Sequence, residues 1–158
     1  MAAETKRPGA ARTVRRFRAG DANAVREIFK QSPQAGALTK DSYERSPEWA
    51  GPLAYVSERA GEVTGFLMGR EAANEAEVFN LAVTPKYRRQ GDGGALLSTA
   101  VKEMQSRGVE RVFLEVRESN LGAIAFYEWF GFSKIGRRKT YYQDPEEAAI
   151  TMEKKLTG

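Results

Sequence analysis

The sequence predicts a single compact α/β (α+β) domain. Its 158 residues suffice for one hydrophobic core but not for two folded domains. Hydrophobic residues make up 41% of the chain, and they form short segments of period-two alternation between segments of helical spacing. We therefore place one domain at residues 13–158. Residues 1–12 are basic and rich in small side chains, and we interpret them as a flexible tail.

The first half of the chain carries the patterns of three strands and one helix. Residues 13–18 alternate as a half-buried strand does, and Gly20 and Asp21 then offer the start of a helix. Residues 31–52 contain three prolines and two glycines, which is typical of an irregular surface connection. Residues 53–59 and 62–69 are predicted strands, joined by a tight turn.

The second half predicts a strand, a glycine-rich loop and a helix, followed by further strands. Residues 77–83 form an apolar strand that Pro85 ends, and residues 91–107 have apolar side chains at helical spacing. Residues 110–117 alternate as a strand, and residues 120–130 have the pattern of a short helix. The remaining predicted strands are residues 133–139 and 148–154.

The composition restricts the available chemistry. Cysteine and histidine are both absent, which excludes thiol nucleophiles, disulfides, histidine-based triads and the usual zinc sites. Catalysis by this chain would therefore use carboxylates, tyrosine, lysine, serine or the backbone. We expect no metal site.

Charge and hydropathy indicate the kind of partner and the compartment. A formal net charge of +4 and a pI near 9.4 favour an anionic ligand or a ribonucleoprotein neighbour. The basic residues are spread along the chain, so we expect no direct nucleic-acid contact. There is no signal-peptide pattern and no run of about 18 apolar residues. The sequence therefore predicts a cytoplasmic protein without a membrane partner.

The loop before the long helix has the composition of an anion-binding site. Glycines at 91, 93 and 94 let successive backbone N–H groups converge at a helix N-terminus, where the helix dipole adds positive potential. Arg88 and Arg89 precede them and offer charge-assisted hydrogen bonds. The glycine spacing matches neither the dinucleotide fingerprint nor the P-loop. On this pattern alone, a flexible glycine turn with solvated arginines is an equal alternative.

The spacing Arg-x-x-Gly-x-Gly at residues 88–93 resembles the pyrophosphate-binding signature of the Gcn5-related N-acetyltransferase (GNAT) superfamily. That resemblance implies the GNAT fold, in which a mixed, mostly antiparallel sheet is flanked by helices and splayed strands form the acetyl-CoA groove. Further segments resemble the bacterial RimI group, which acetylates the N-terminal alanine of a ribosomal protein. They are residues 114–120 (LEVRESN), 123–127 (AIAFY), 131–132 (GF), 137–142 (RRKTYY) and 145–152 (PEEAAITM).

The resemblance assigns roles to individual residues. It implies direct transfer of the acetyl group of acetyl-CoA to a primary amine, with Glu115 as the base and Tyr127 as the acid. From the residues alone, an exposed strand carboxylate at Glu115 and a core aromatic at Tyr127 are the favoured interpretation, and the resemblance reverses it. Tyr141 and Tyr142 resemble tyrosines that line the acceptor groove. The implied cofactor-binding residues are Leu81, Ala82, Val83, Arg88, Arg89, Gln90, Gly91, Asp92, Gly93, Gly94, Asn120 and Tyr127.

Asp92 departs from the family pattern, which usually has an apolar residue at this position. A carboxylate beside bound phosphates costs affinity unless it turns away, although negative charge is favourable at a helix N-terminus. We therefore expect Asp92→Ile to leave acetyl-CoA affinity unchanged or to improve it. Gly94 is a second departure, since the family often has a longer residue there.

The acceptor is less well defined than the donor. Residues 31–52 lack the Pro-Trp-Ser-like element that RimI enzymes usually carry in this loop, so the prediction of a protein N-terminal amine, such as that of a ribosomal protein, has alternatives. These are a small-molecule amine, a protein lysine, or a CoA-binding regulatory module without catalysis. The expected oligomeric state is a monomer or a weak homodimer.

Overall fold

The computed structural model of the chain describes residues 11–32, 53–142 and 146–156. Within these ranges seven strands form one sheet and three helices pack against it. The strands are β1 (Arg12–Arg16), β2 (Leu53–Arg59), β3 (Glu62–Ala72), β4 (Glu75–Val83), β5 (Arg111–Arg117), β6 (Ser133–Tyr142) and β7 (Glu147–Lys155). The helices are α1 (Ala22–Lys30), α2 (Asp92–Ser106) and α3 (Leu121–Trp129).

The strand order is β1-β2-β3-β4-β5-β7-β6, and every neighbouring pair is antiparallel except β4 and β5. The parallel pairing of β4 with β5 is short. It runs from Glu75 opposite Arg111 to Val78 opposite Leu114 and then stops. The two strands separate beyond this point, as in the predicted fold: a mixed, mostly antiparallel sheet with splayed central strands.

A β-bulge in β4 lies next to the separation. Met68 of β3 pairs with Asn80, whereas the next residue, Gly69, pairs with Val78. Phe79 is therefore an extra residue without a partner in β3, and such a residue shifts the alternation of side chains by one position. Val78 and Leu81 consequently pack against the same core cluster although they are three residues apart.

The sheet is covered on both faces, which gives two core clusters. One lies beneath α2 and α3 and includes Leu97, Ala100 and Leu114; the other lies beneath α1 and includes Ile28 and Phe66. Each fully buried aliphatic or aromatic side chain stabilises the fold by about 1.5–3 kcal/mol. The central strands are therefore packed on both faces. The point where β4 separates from β5 lies between these two core clusters.

Several boundaries differ from the sequence-based prediction by one to three residues, and three of them show why. Arg12, assigned to the tail, is the first residue of β1. Strand β3 extends to Ala72, beyond the predicted end at Gly69. Strand β6 extends to Tyr142, beyond Lys139, because pairing with β7 resumes there after an irregularity in the ladder. Its residues are mostly exposed, so hydrophobic alternation did not reveal its length.

Most of the predicted irregular connection at residues 31–52 lies outside the described ranges, as does most of the predicted tail. Membrane-spanning helices are absent from the described ranges, because none of their helices combines the required length with sufficient hydropathy.

Candidate active site

The separation of β4 and β5 opens a cavity of about 500 Å³ beside α3. Residues from both strands, from the loop before α2 and from α3 line it. They include Asn80, Leu81, Ala82, Val83, Arg88, Gly93, Glu115, Asn120, Phe126 and Tyr127.

One wall of this cavity is a free strand edge. Beyond Val78, β4 keeps its pairing with β3 through Val83, but it has no pairing with β5 in the described part of the chain. The backbone N–H and C=O groups of Leu81 and its neighbours on the β5 side are therefore available. An extended ligand with amide groups can bind such an edge in the manner of an added strand.

The glycine loop forms the other end of the cavity and leads into α2. Gly91 is the residue before the helix and has φ 92°, a left-handed conformation that glycine adopts without steric cost. The first hydrogen bond of the helix runs from the Ala95 N–H to the Gly91 carbonyl. The N–H groups of Gly93 and Gly94 therefore have no partner within α2, which is the usual arrangement of an anion-binding helix N-terminus.

Arg88 lines the cavity but also bonds to the protein. Its Nε donates to the Val83 carbonyl at 2.9 Å, and its Nη2 donates to the Gln31 carbonyl and to Ser32 Oγ, both at 3.1 Å. These bonds join the end of β4 to the end of α1. Arg89 is exposed and has φ 65°. The sequence-based interpretation assigned both arginines to phosphates. The bonds to the protein show that Arg88 links β4 to the end of α1.

Asp92 does not face the cavity. Its carboxylate is 1% exposed, and it accepts from Arg59 Nη2 at 2.7 Å, from Thr64 Oγ1 at 2.6 Å and from Arg12 Nη1 at 3.4 Å. Of the two expected alternatives, the side chain takes the one in which it turns away from the loop, and the expected capping role is wrong, because the carboxylate makes no capping bond. Burial disfavours its charge, but the bonds from Arg59 and Thr64 outweigh burial and lower the pKa of Asp92.

Glu115 stands where β5 leaves β4, one residue beyond the last parallel pair. Its side chain is 10% exposed. One carboxylate oxygen, Oε2, accepts from Arg138 Nε at 2.6 Å and from Thr151 Oγ1 at 3.2 Å. Both the main cavity and a second one are lined by Glu115, so this residue lies at the boundary between them.

The second cavity has a volume of about 280 Å³ and is rich in charged side chains. Strands β3 to β7 contribute to it, and it shares only Leu114 and Glu115 with the main cavity. Its charged residues are Arg70, Glu75, Glu77, Glu115 and Arg138.

The two tyrosines at the end of β6 have different surroundings. The Tyr141 ring lies 5.3 Å from the Arg138 guanidinium, and burial together with the nearby Glu115 charge raises its pKa. Tyr142 is 3% exposed, and the Arg117 guanidinium lies 4.4 Å from its ring centre. Tyr141 therefore adjoins Glu115 on the side of the second cavity, whereas Tyr142 is packed into the core.

Tyr127 lies on α3 within an aromatic group. Its ring packs edge-on against Phe126 at 5.2 Å and against Phe132 at 5.6 Å. Burial raises the pKa of the phenol well above its ordinary value, so Tyr127 keeps its proton at neutral pH. Asn120 precedes the helix, and its Oδ1 caps it by accepting from the Ala123 N–H at 3.2 Å.

The structure gathers most of the predicted residues around one space. Glu115, Tyr127 and Asn120 line the main cavity with part of the predicted cofactor set. The predicted cofactor residues outside its lining are Arg89, Gln90, Gly91, Asp92 and Gly94. These five belong to the loop and the first turn of α2.

Among the lining residues that sequence reasoning did not assign to the site are Gln31, Ser32, Asn80 and Phe126 of the main cavity and Glu77 of the second. A signal existed for Asn80, because it is a polar residue inside an otherwise apolar strand segment. It is 1% exposed.

The chain has similar proteins among those already characterised. A ribosomal protein bS18-alanine N-acetyltransferase from Escherichia coli (strain K12) is 45% identical over 94 residues, and the match spans 58% of this chain and 64% of that relative's length. A relative from Bacillus subtilis (strain 168) is 35% identical over 141 residues, which are 88% of this chain and 92% of the relative.

The fold has a close counterpart among solved structures. The crystal structure of the ribosomal-protein-S18-alanine N-acetyltransferase from Escherichia coli superimposes with a TM-score of 0.79 at 32% identity, covering 94% of this chain and 96% of that one. The acetyltransferase (GNAT) family itself matches residues 22–132, which is more than half of the sequence. The chain therefore belongs to the GNAT acetyltransferase family, as the glycine loop and the segments around Glu115 and Tyr127 predicted.

Proposed function

We propose that this chain is an acetyl-CoA-dependent N-acetyltransferase that acts on the N-terminal α-amine of a protein, and most directly on an N-terminal alanine such as that of a ribosomal protein. One observation carries the proposal: Glu115 and Tyr127, a carboxylate and a protonated phenol, line the same cavity beside a free strand edge and a glycine-rich helix N-terminus.

The residues of the main cavity fit acetyl-CoA. The free edge of β4 suits the amide groups of the extended pantetheine arm. The first N–H groups of α2, at Gly93 and Gly94, suit the diphosphate, and the guanidinium of Arg89 is exposed nearby. Acetyl-CoA supplies an acetyl group that is already activated as a thioester, so the chain needs no metal for this chemistry.

In this mechanism Glu115 takes a proton from the acceptor nitrogen as the nitrogen bonds to the acetyl carbon. Its carboxylate can do so because it lines both cavities, and the second cavity gives the acceptor its own approach. Thr151 and Arg138 hold one oxygen, Oε2, in place. The other oxygen, Oε1, is then the one that takes the proton.

Tyr127 stabilises the leaving sulfur. Its raised pKa keeps the phenol protonated, and a thiol has an ordinary pKa of about 8.5, so full transfer of the proton to a thiolate is uphill. A hydrogen bond from the phenol to the developing thiolate is favourable at once, and charge-assisted bonds of this kind are the strong ones. Tyr127 therefore acts first as a hydrogen-bond donor.

We expect Tyr127→Phe to lower kcat by about 10- to 100-fold, because one hydrogen bond to a charged group is worth about 1.5–3 kcal/mol. The ring and its packing against Phe126 and Phe132 remain, so the thermal midpoint should not change. Release of free thiol from acetyl-CoA, measured under saturating peptide, gives kcat. A variant with full activity would show that solvent alone protonates the thiolate.

The acceptor is the part of the proposal that most needs a direct test. The names of the relatives describe alanine N-acetyltransferases of ribosomal protein bS18, and an acceptor of this kind is met in the cytoplasm. We expect peptides that begin with alanine to be acetylated at the α-amine faster than free amino acids, polyamines or internal lysines. Thiol release across such a set, with mass spectrometry of the product, ranks the acceptors.

Two outcomes of that comparison would contradict the proposal. Faster turnover of a small amine or of a lysine side chain would assign the chain to another acceptor class. Binding of acetyl-CoA without turnover of any amine would indicate a regulatory CoA-binding module.

A further inference from the structure

Glu77 is a half-buried carboxylate of the second cavity to which the mechanism above gives no role. It is paired with Phe113 in the parallel ladder of β4 and β5, and Glu115 lies two residues further along β5. Paired residues of a sheet share a face, and so do residues two apart on one strand. Glu77 and Glu115 therefore stand on the same face, on either side of the point where the strands separate.

The two carboxylates have different partners. Glu115 bonds to Arg138 and Thr151. The carboxylate of Glu77 has neither a hydrogen bond nor an ion pair with any other residue in the three described ranges. A carboxylate that is half-buried, lies in a cavity and has no protein cation bonded to it is suited to bind a cation from a ligand.

The charged groups around Glu77 come from three neighbouring strands. Arg70 of β3 is its ladder partner, Glu115 is on β5, and Arg138 and Tyr141 are on β6. Burial, and then the charge of Glu115, raise the pKa of Glu77, while Arg70 and Arg138 oppose that rise. The net effect makes Glu77 a better proton acceptor than an ordinary glutamate.

The reaction itself needs a second proton acceptor. An α-amino group has an ordinary pKa of about 8, so near neutral pH it arrives mainly as an ammonium with three protons. The amide product keeps one proton on nitrogen. Two protons must therefore leave the nitrogen, one before it attacks and one afterwards, whereas Glu115 can accept only one in each turnover.

We propose that Glu77 binds the ammonium form of the acceptor amine and takes its first proton, which leaves Glu115 to take the second. This inference rests on the proposed N-terminal acetyltransferase activity and adds the group that recognises the charged amine. It also gives Glu77 a role in the cavity that the proposed function assigns to the acceptor.

The proton and electron balance is as follows. An N–H bond of the ammonium breaks, and its electron pair stays on nitrogen. The proton forms an O–H bond on Glu77. Glu77 then releases this proton to solvent through the open cavity. The nitrogen pair then forms the C–N bond, and Glu115 takes the second proton. The C–S bond breaks with its pair on sulfur, and the thiolate, stabilised by the Tyr127 phenol, takes up one proton from solvent. Glu115 releases the proton it holds to solvent, so each turnover releases one proton in total.

The test is the pH dependence of Glu77→Gln with a peptide that begins with alanine. We expect the KM for the peptide to rise about tenfold near pH 7, and the rise to fall below about threefold near pH 9.5, where the amine arrives neutral. The KM for acetyl-CoA should not change. Glu77→Asp keeps a carboxylate and should recover part of the loss near pH 7.

Glu153→Gln is the matched control. Glu153 pairs with Phe113 from the other side, on β7, so it lies on the same face as Glu77, but it is bonded to Arg111 and lies outside both cavities. We expect its peptide KM to equal that of the wild type at both pH values. Calorimetric binding of acetyl-CoA and the thermal midpoint establish that each variant is folded.

Two results would overturn the inference. One is a Glu77→Gln enzyme whose peptide KM stays within about twofold of the wild type near pH 7, where the amine is mainly an ammonium. The other is a loss of equal size at both pH values, since this would reveal a structural role. Failure of the proposed function would give a different result from failure of this inference. The wild type would then acetylate no N-terminal peptide, and the proposed role of Glu77 would be wrong as well.

Discussion

Glu115→Gln is expected to lower kcat by about 10²-fold or more, because general base catalysis contributes 10²–10⁴-fold in enzymes that use it. Glutamine has the same shape but cannot accept the proton from the acceptor nitrogen. Acetyl-CoA binding, measured by calorimetry, should be unchanged, because the contacts of the cofactor with the β4 edge and the α2 N-terminus remain. The decrease in kcat would therefore come from the chemical step and not from cofactor binding.

The stability of this variant should also be close to that of the wild type. Arg138, the ion-pair partner of Glu115, is 63% exposed, so water can solvate its guanidinium once the carboxylate is gone. Glu153→Gln serves again as the control and should keep the wild-type kcat. An unchanged kcat in Glu115→Gln would remove this residue from the mechanism.

Asp92→Ile is expected to destabilise the fold by about 3 kcal/mol, since removal of one partner of a buried ion pair leaves an uncompensated charge. Arg12 is the more exposed partner of Asp92 and contributes less. Arg59 is the main partner, and its side chain is only 10% exposed. For a chain of this size the thermal midpoint should fall by about 6–12 °C. The sequence-based expectation for this substitution concerned only the affinity for acetyl-CoA and did not include a loss of stability, because the sequence alone does not show that the carboxylate is buried.

The pH dependence of this contribution follows from the lowered pKa of Asp92. A carboxyl group whose folded pKa lies below the unfolded value stabilises the fold fully above the unfolded value of about 3.9, and the contribution is lost as pH falls through the folded pKa. The difference in stability between the wild type and Asp92→Ile should therefore be constant near neutral pH and shrink in strong acid.

A double variant tests the cause. Asp92→Ile combined with Arg59→Met removes both charges, and we expect it to recover about half of the lost stability or more, because apolar residues often replace a buried ion pair without cost. Glu118→Gln breaks the exposed ion pair with Arg137 and should leave the thermal midpoint unchanged. An equally low midpoint in the single and double variants would show that packing, not charge, explains the loss.

The fold was predictable to the extent that its elements repeat a simple period. Strand β2 begins and ends where its apolar residues and the following tight turn predicted, and α2 lies within one residue of the predicted segment at each end. The bulge at Phe79 was not predictable. Both faces of β4 are covered, so every second residue remains buried across the bulge. The sequence pattern therefore does not show that the buried side chains change from one face of the sheet to the other.

The candidate site was predictable where residues act through local motifs. The glycine loop and the segment around Glu115 lie on the elements that their spacing predicted. The orientation of Asp92 depends on Arg59 and Thr64, which are 33 and 28 positions away, and a single sequence does not show that pairing. Glu77 became a candidate only through the register of β4 against β5.

Arg12 shows how far the start of the chain reaches into the site. Its Nη1 donates to the Gln90 carbonyl at 3.0 Å and lies 3.1 Å from the position that a Cβ would have on Gly91. A purification tag, a protease cut or a binding protein that displaces the residues just ahead of Thr13 would therefore act on the loop before α2, 78 positions further along. For anyone who engineers this protein, Arg12 is a residue to be left untouched.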